Sequence, residues 1–304
     1  MNSDFSYRSD LVNKAMTSKY AAPAWITFAL LAASVEPIVA KFAFKDQITA
    51  IQLIVLKAAL GAVVLLPFIY KKLADRATVV RLAPVGVLLF GTNSLTLLAL
   101  SQISVVLLIT IVTTTPALVG IANTILGRDE LGRKYWLGFV LCFIGVVMTL
   151  EYRDLVVNTW GLISAFAAAL SSTIYRVRME MICEKQSPVE AAGITYFIQG
   201  MITLLLLPLA YPMPEKSLLF GAWIGISAAL ANIAFVSALN LVGSTRVSVL
   251  TMIQRPLLII AAAIFLKETV NTYQIIGIVL VMVGIQLAEV KRKGADTALA
   301  NASP

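Results

Sequence analysis

Apolar residues run along this chain in blocks of about twenty, the length that spans a bilayer as helix, and charged residues fall almost entirely between the blocks. Reading from charge to charge predicts helices at about 24–44, 48–70, 81–101, 104–126, 134–150, 160–182, 189–211, 217–240, 246–266 and 272–289. From Leu82 to Gly127 there are 46 residues without a formal charge. As a single helix that run would be about 69 Å long, against a hydrocarbon core about 30 Å thick. It must cross, turn and cross again. The pattern therefore predicts an all-α polytopic membrane protein with ten transmembrane helices and short connections.

The blocks repeat. LGRDELGRKYWLGFVLCFIGV (126–146) and FLKETVNTYQIIGIVLVMVGI (265–285) share a basic residue, an acid, a polar gap and an apolar run with two glycines seven apart. Gly138 and Gly277, Gly145 and Gly284, Asn93 and Asn232, and Ala99-Leu100 and Ala238-Leu239 all differ by 139; Leu66-Pro67 and Leu207-Pro208 differ by 141. This divides the chain into an N-terminal segment (1–23), a five-helix copy (24–152), a second five-helix copy (153–289) and a C-terminal tail (290–304). Five crossings is an odd number, so the second copy enters the membrane upside down. Inverted repeats of this kind are a plan of secondary transporters, with the solute held near the midplane.

Composition closes other routes. The chain is 59% hydrophobic and 13% charged, with a mean hydropathy of +0.89; soluble domains carry about a quarter charged residues. With both termini inside, 17 Lys and Arg fall on the cytoplasmic side and 5 opposite (Lys41, Lys45, Arg153, Lys216 and Lys267), setting aside the deep Lys57 and Arg255. In this count Arg176 and Arg178, at the end of the span 160–182, belong to the cytoplasmic side. The bias accounts for the net charge of +8 without nucleic acid. The first 23 residues hold no apolar h-region, so no cleaved signal peptide is expected. There is no His, only Cys142 and Cys183, and no HExxH or P-loop. The reading expects no metal, no cofactor, no disulfide and no enzyme chemistry.

Deep polar residues carry the candidate chemistry. Glu36 lies about 18 Å into the first span, and Lys57 and Arg255 are also deep. Charge at such depth is costly and faces a bundle interior or a wet cavity. Two readings stand: a structural ion pair of Glu36 with Lys57 or Arg255, or a site for solute or a coupling proton. In the second, Arg255 takes a carboxylate and Glu36 takes an ammonium group or the proton. Pro37, Pro116 and Pro256 mark helix kinks at similar depth, each freeing a carbonyl. Asn93, Thr114, Gln199, Asn232 and Gln254 add neutral hydrogen-bonding groups there, with interhelical glue as the competing role. Asp129 and Glu268 precede helices and read as structural caps. The paired glycines read as packing positions.

At the acid followed by TYQIIGIVLVMVGI, at FVSALNLVGSTRVSVL and at its counterpart TLLALSQISVVLLI, the chain resembles EamA-type members of the drug/metabolite transporter superfamily. The resemblance spans about 24–289. It implies a ten-helix transporter of the bacterial inner membrane, often exporting amino acids or related metabolites. Glu268 matches the family's acid before the last helix; Asp129 matches it by register, with Gly127 and Glu130 as a shifted alternative. Lys57 stands where many relatives carry Arg, and Glu36 has no family counterpart. The expected partners are a small-molecule substrate, the lipid bilayer and, for coupling, protons. A membrane-embedded non-transporting scaffold and, after it, a membrane enzyme are the remaining alternatives.

Overall fold

A computed structural model describes residues 21–149, 157–183, 186–254, 256, 271–288 and 291–292. Helix α1 (Ala21–Lys45) continues through Pro37. Helix α2 (Ala50–Ile69) opens with a capping box, in which Thr49 Oγ1 accepts from Gln52 N and Gln52 Oε1 accepts from Thr49 N. The long uncharged run folds as the sequence requires. Helix α3 (Arg76–Gln102) crosses, the chain turns at Ile103–Ser104, and α4 (Val105–Val112) and α5 (Thr115–Ile125) return. The return is broken at Thr113–Thr114, just before Pro116, which cannot donate to the preceding turn.

A two-residue strand β1 (Asp129–Glu130) leads to α6 (Arg133–Met148) and α7 (Thr159–Cys183). Helix α8 (Pro188–Thr203) tightens into a 3₁₀ turn at Leu204–Leu206 before the short α9 (Leu207–Ala210). Then follow α10 (Glu215–Val242), α11 (Ser244–Leu250), a 3₁₀ turn at Thr251–Ile253, α12 (Thr272–Leu287) and β2 (Lys291–Arg292), which pairs antiparallel with β1. Among the described residues, six helical stretches are long and apolar enough to cross a membrane: 24–45, 50–69, 76–102, 107–125, 188–210 and 215–242. Helix α12 is apolar but shorter, and α7 is diluted by its serines and its charged end.

The chain forms two compact units, one of residues 1–87 and 178–247, the other of 88–177 and 248–304. In the first, α10 packs on α1 and α2, and α8 packs on α2 and α10. In the second, α6 packs on α12, with Cys142, Val146, Met252 and Val281 buried together. Glycine permits both contacts. A side-chain carbon at Gly225 would lie 2.9 Å from Lys57 O, and one at Gly284 would lie 2.6 Å from both Gly138 O and Cys142 Sγ. Without water inside a bilayer, close packing of this kind, not the hydrophobic effect, holds helices together.

The two copies run antiparallel where they touch. Ala58 meets Gly200 while Ile69 meets Gly193; Gly138 meets Gly284 while Gly145 meets Gly277. Burial also fixes their register. Ile26, Ala29 and Leu30 on α1 are buried as Ala165, Ala168 and Ala169 are on α7, and Leu31 and Leu170 are exposed alike, an offset of 139. On α2 and α8 the offset is 138: Gly86 abuts Thr195 O as Gly225 abuts Lys57 O, and Val63 and Met201 share an exposed position. Along these contacts the offset is thus one less than the 139 of the glycines, and not the 141 that Leu66-Pro67 and Leu207-Pro208 suggest.

A Gly284→Val substitution would force β-branched bulk against Gly138 O and Cys142. It should lower stability by about 1–3 kcal/mol, read as a fall in the melting temperature of the purified protein. Gly132→Ala, where nothing lies within 4 Å of the added carbon, should leave the melting temperature within error.

Candidate functional site

The deepest charges of the first compact unit meet. Lys57 Nζ donates to Glu36 Oε1 at 2.6 Å. The Lys57 side chain is 1% exposed and that of Glu36 17%. Lys57 is enclosed because its own backbone is pressed against Gly225 of α10, so its ammonium has no route to solvent of the kind a snorkelling lysine uses. What approaches the pair meets Glu36 first. Gln199 on α8 and Asn232 on α10 are buried in the same unit.

The repeat provides an internal control. By the register of α1 and α7, the counterpart of Glu36 is Tyr175; by that of α2 and α8, the counterpart of Lys57 is Thr195. Both are buried, and Thr195 Oγ1 donates to the carbonyls of Ala191 and Ala192 on its own helix. The second copy builds the same helices with no ion pair at these places. Helix packing alone therefore does not demand one.

Asn93, Thr114 and Gln254 belong to the other unit. Thr114 Oγ1 donates to Ile111 O at 2.7 Å and gives α5 no side-chain cap. Two neighbours of these residues, Ser94 and Thr115, have buried hydroxyls with no hydrogen-bond partner, a cost of about 1–3 kcal/mol each unless a water or ligand meets them. The first turn of α5 is pinned from α6, where the Tyr135 hydroxyl donates to Pro116 O at 2.8 Å over the gap left by Gly120. Pro256 is buried; Arg255 and Glu268 lie outside the described residues.

The two acids read as caps can be compared with the helix starts themselves. The N-cap of α6 is Gly132, with no side-chain cap bond, and the Asp129 carboxylate accepts from Asn123 Nδ2 at 3.3 Å. At the equivalent place α12 is capped by Asn271, which forms a capping box with Gln274. On α12 the adjacent residue supplies the cap, and on α6 no side chain does.

Two charges near the end of the span predicted at 160–182 are engaged within the fold. The buried Glu180 accepts from Ser244 N at 2.9 Å and from Ser244 Oγ. One turn earlier, Arg176 Nε donates to Ser172 Oγ at 3.2 Å and Arg176 Nη1 donates to Ser248 Oγ at 3.1 Å. The Glu180 contact has a local cause. Helices α10 and α11 are joined by Gly243 alone, at φ +84°, a conformation that favours glycine. Its counterpart Ser104 caps α4 with its own hydroxyl, bonded to Leu107 N. The tight turn removes that cap from α11, and Glu180 replaces it.

The sequence profile of the EamA-like transporter family matches the chain twice, over residues 21–151 and 159–289. No curated protein sequence matches it. One crystal structure of a protein 17% identical superposes with a TM-score of 0.67, covering 90% of this chain and 97% of that one. At that identity the likeness speaks for the fold alone. The doubled match takes in every helix from α1 to α12, and the chain belongs to the EamA-like transporter family, membrane transporters of the drug/metabolite superfamily.

Proposed function

We propose that this transporter is a secondary carrier that exports small polar metabolites, amino acids or related carboxylates, across a bacterial inner membrane by alternating access. In this reading ten helices form two inverted five-helix copies, 24–152 and 153–289, with residues 1–23 and 290–304 in the cytoplasm. The antiparallel run of equivalent helices supports the inversion, and the excess of basic residues on one side supports the orientation. The observation that carries the functional reading is the Glu36–Lys57 pair, present in one copy and replaced by Tyr175 and Thr195 in the other.

An ion pair taken into a bilayer costs desolvation that its attraction repays only with good geometry. A group kept at that cost, and dispensable for packing, is one the transport cycle uses. Because Glu36 is the more exposed partner, it is the one that takes a proton or the ammonium of a zwitterionic solute, in competition with Lys57. Removing one partner takes away the opposite charge from a buried ion, whereas replacing both with residues that fit removes both charges.

Two experiments test this. Glu36→Gln alone should destabilise by up to about 3 kcal/mol, since it removes the carboxylate to which the buried Lys57 ammonium donates. The double variant Glu36→Tyr, Lys57→Thr, which copies the other repeat, should melt near the wild type yet fail in proteoliposome transport. Normal transport by that variant would make the pair structural. In the single variant, counterflow that survives while gradient-driven uptake is lost assigns Glu36 to the proton; loss of both assigns it to the solute.

For topology, Cys142 and Cys183 are buried and leave a quiet background. A cysteine at Lys71 should be shielded from impermeant thiol reagents in intact cells, and one at Glu215 should react. Labelling of position 71 from outside would refute the orientation.

A further inference from the structure

Helices α2 and α8 are equivalents that start alike and end differently. Their N-caps, Thr49 and Ser187, differ by 138, as do their third residues, Gln52 and Glu190. Later the difference grows to 141, at Leu66-Pro67 against Leu207-Pro208 and at the last residues of α2 and α9, Ile69 and Ala210. The stretch from Pro188 to Ala210 has 23 residues where α2 has 20. The excess is absorbed where α8 gives way to the 3₁₀ turn Leu204–Leu206, itself 3 residues long. Just before that turn, Thr203 Oγ1 donates to Gly200 O at 2.7 Å, a bond back along the helix that favours bending. Helix α2 passes the same Leu-Pro step unbroken, so that step does not by itself require the turn. A 3₁₀ turn inside a span marks a place to bend.

The chain on the far side of the turn is clasped to the start of α2. The buried Gln52 donates through Nε2 to Ala210 O at 3.2 Å and to Pro212 O at 2.7 Å, while its Oε1 accepts from Thr49 N. Both amide protons are used, and the clasp holds no charge for salt to screen. The start of α8 is held differently. There Glu190 Oε1 faces Lys72 Nζ, just past the end of α2, at 3.5 Å, with side chains 31% and 51% exposed. Just before α8, Gln186 Nε2 donates to Thr78 Oγ1 at 3.2 Å, and the Thr78 hydroxyl donates to Asp75 Oδ2. Gln186 Oε1 is buried and receives no hydrogen bond. That acceptor costs free energy while this end is closed, and water would satisfy it on opening. An exposed ion pair stands at the clasped end too, Lys216 Nζ to Asp46 Oδ2 at 3.1 Å. The Gln52 clasp is what sets the two ends apart.

We propose that α8 pivots at Leu204–Leu206 about the segment clasped by Gln52, and that Lys72–Glu190 is the latch on its free end. This rests on the reading of alternating access and deepens it. On the orientation proposed above the latch lies on the cytoplasmic side, so the first compact unit carries a gate that faces the cytoplasm and answers to ionic strength.

Distances between pairs of spin labels, measured by pulsed electron resonance on the full-length protein in liposomes, test the pivot without any solute. Ala74→Cys with Ser187→Cys spans the latch, and Lys45→Cys with Leu209→Cys spans the clasp; all four positions are exposed. Raising NaCl from about 0.05 M to about 0.5 M should enlarge a longer-distance population of the 74–187 pair by about two- to five-fold, the range of an exposed ion pair. Glu190→Gln should do the same at low salt, and Lys72→Glu with Glu190→Lys should restore the low-salt distribution. The 45–209 pair should hold its distance in all of these, although salt also screens Lys216–Asp46, and should spread in Gln52→Ala. A 74–187 pair that ignores both salt and Glu190→Gln overturns the latch. A 45–209 pair that lengthens in step with it means that the helices part as rigid bodies, which overturns the pivot. Joining the cysteines at 74 and 187 with a short thiol crosslinker should stop proteoliposome uptake of whichever of the common L-amino acids, acetate, lactate or succinate the wild type carries. Uptake that continues overturns the gate. A wild type that carries none of them counts against the transport reading, and the distances still decide the pivot.

Discussion

Contact of backbone against backbone is the constraint on which both compact units depend. In a bilayer the lipid is as apolar as leucine, so helices gain little by hiding apolar side chains from it. They gain by approaching closely, and glycine sets how close. Gly225 against the Lys57 carbonyl, and Gly145 and Gly277 against each other's carbonyls, are among the points of close backbone approach. The first of them also has a chemical result. By bringing α10 onto the backbone of Lys57, it encloses a cation that would otherwise reach for water, and leaves Glu36 as the accessible partner.

Duplication makes the energetics readable from a single chain. Each polar group in one copy can be set against its counterpart in the other, on a helix of the same kind. The glycines of α6 and α12 recur, so packing needs them. The Glu36–Lys57 pair does not recur; Tyr175 and Thr195 stand at its places, and Thr195 bonds within its own helix.

Much of the architecture was legible beforehand for a simple reason: in a membrane, charge punctuates helices, and glycine spacing marks where they touch. The same rule explains the misses. The span at 160–182 already contained Arg176 and Glu180, but counting charge by side does not show that each is bonded to a serine at the start of or within α11. The one-residue slip between α2 and α8 was hidden because their buried positions are runs of interchangeable apolar residues; only the carbonyls of Lys57 and Thr195, each facing a glycine, fix it. Asn271 caps α12 although the caps were sought among acids, Gly132 at the start of α6 makes no side-chain bond, and Glu268 lies outside the described residues. The break at Thr113–Thr114 was foreshadowed by Pro116, but proline marks a kink without saying how the chain resolves it, as the unbroken passage of α1 through Pro37 shows.

The borrowed cap on α11 bears on how the chain is made. Ser104 secures the start of α4 as soon as those few residues emerge from the ribosome, because the donor and acceptor are three residues apart. The start of α11 is secured by a side chain 64 residues upstream, so it has no anchor until α7 is already seated with Glu180 turned inward. Synthesis runs in the favourable direction, since α7 is always finished first. A circular permutation that delivered α11 before α7 would keep every residue of the protein and lose that order of assembly.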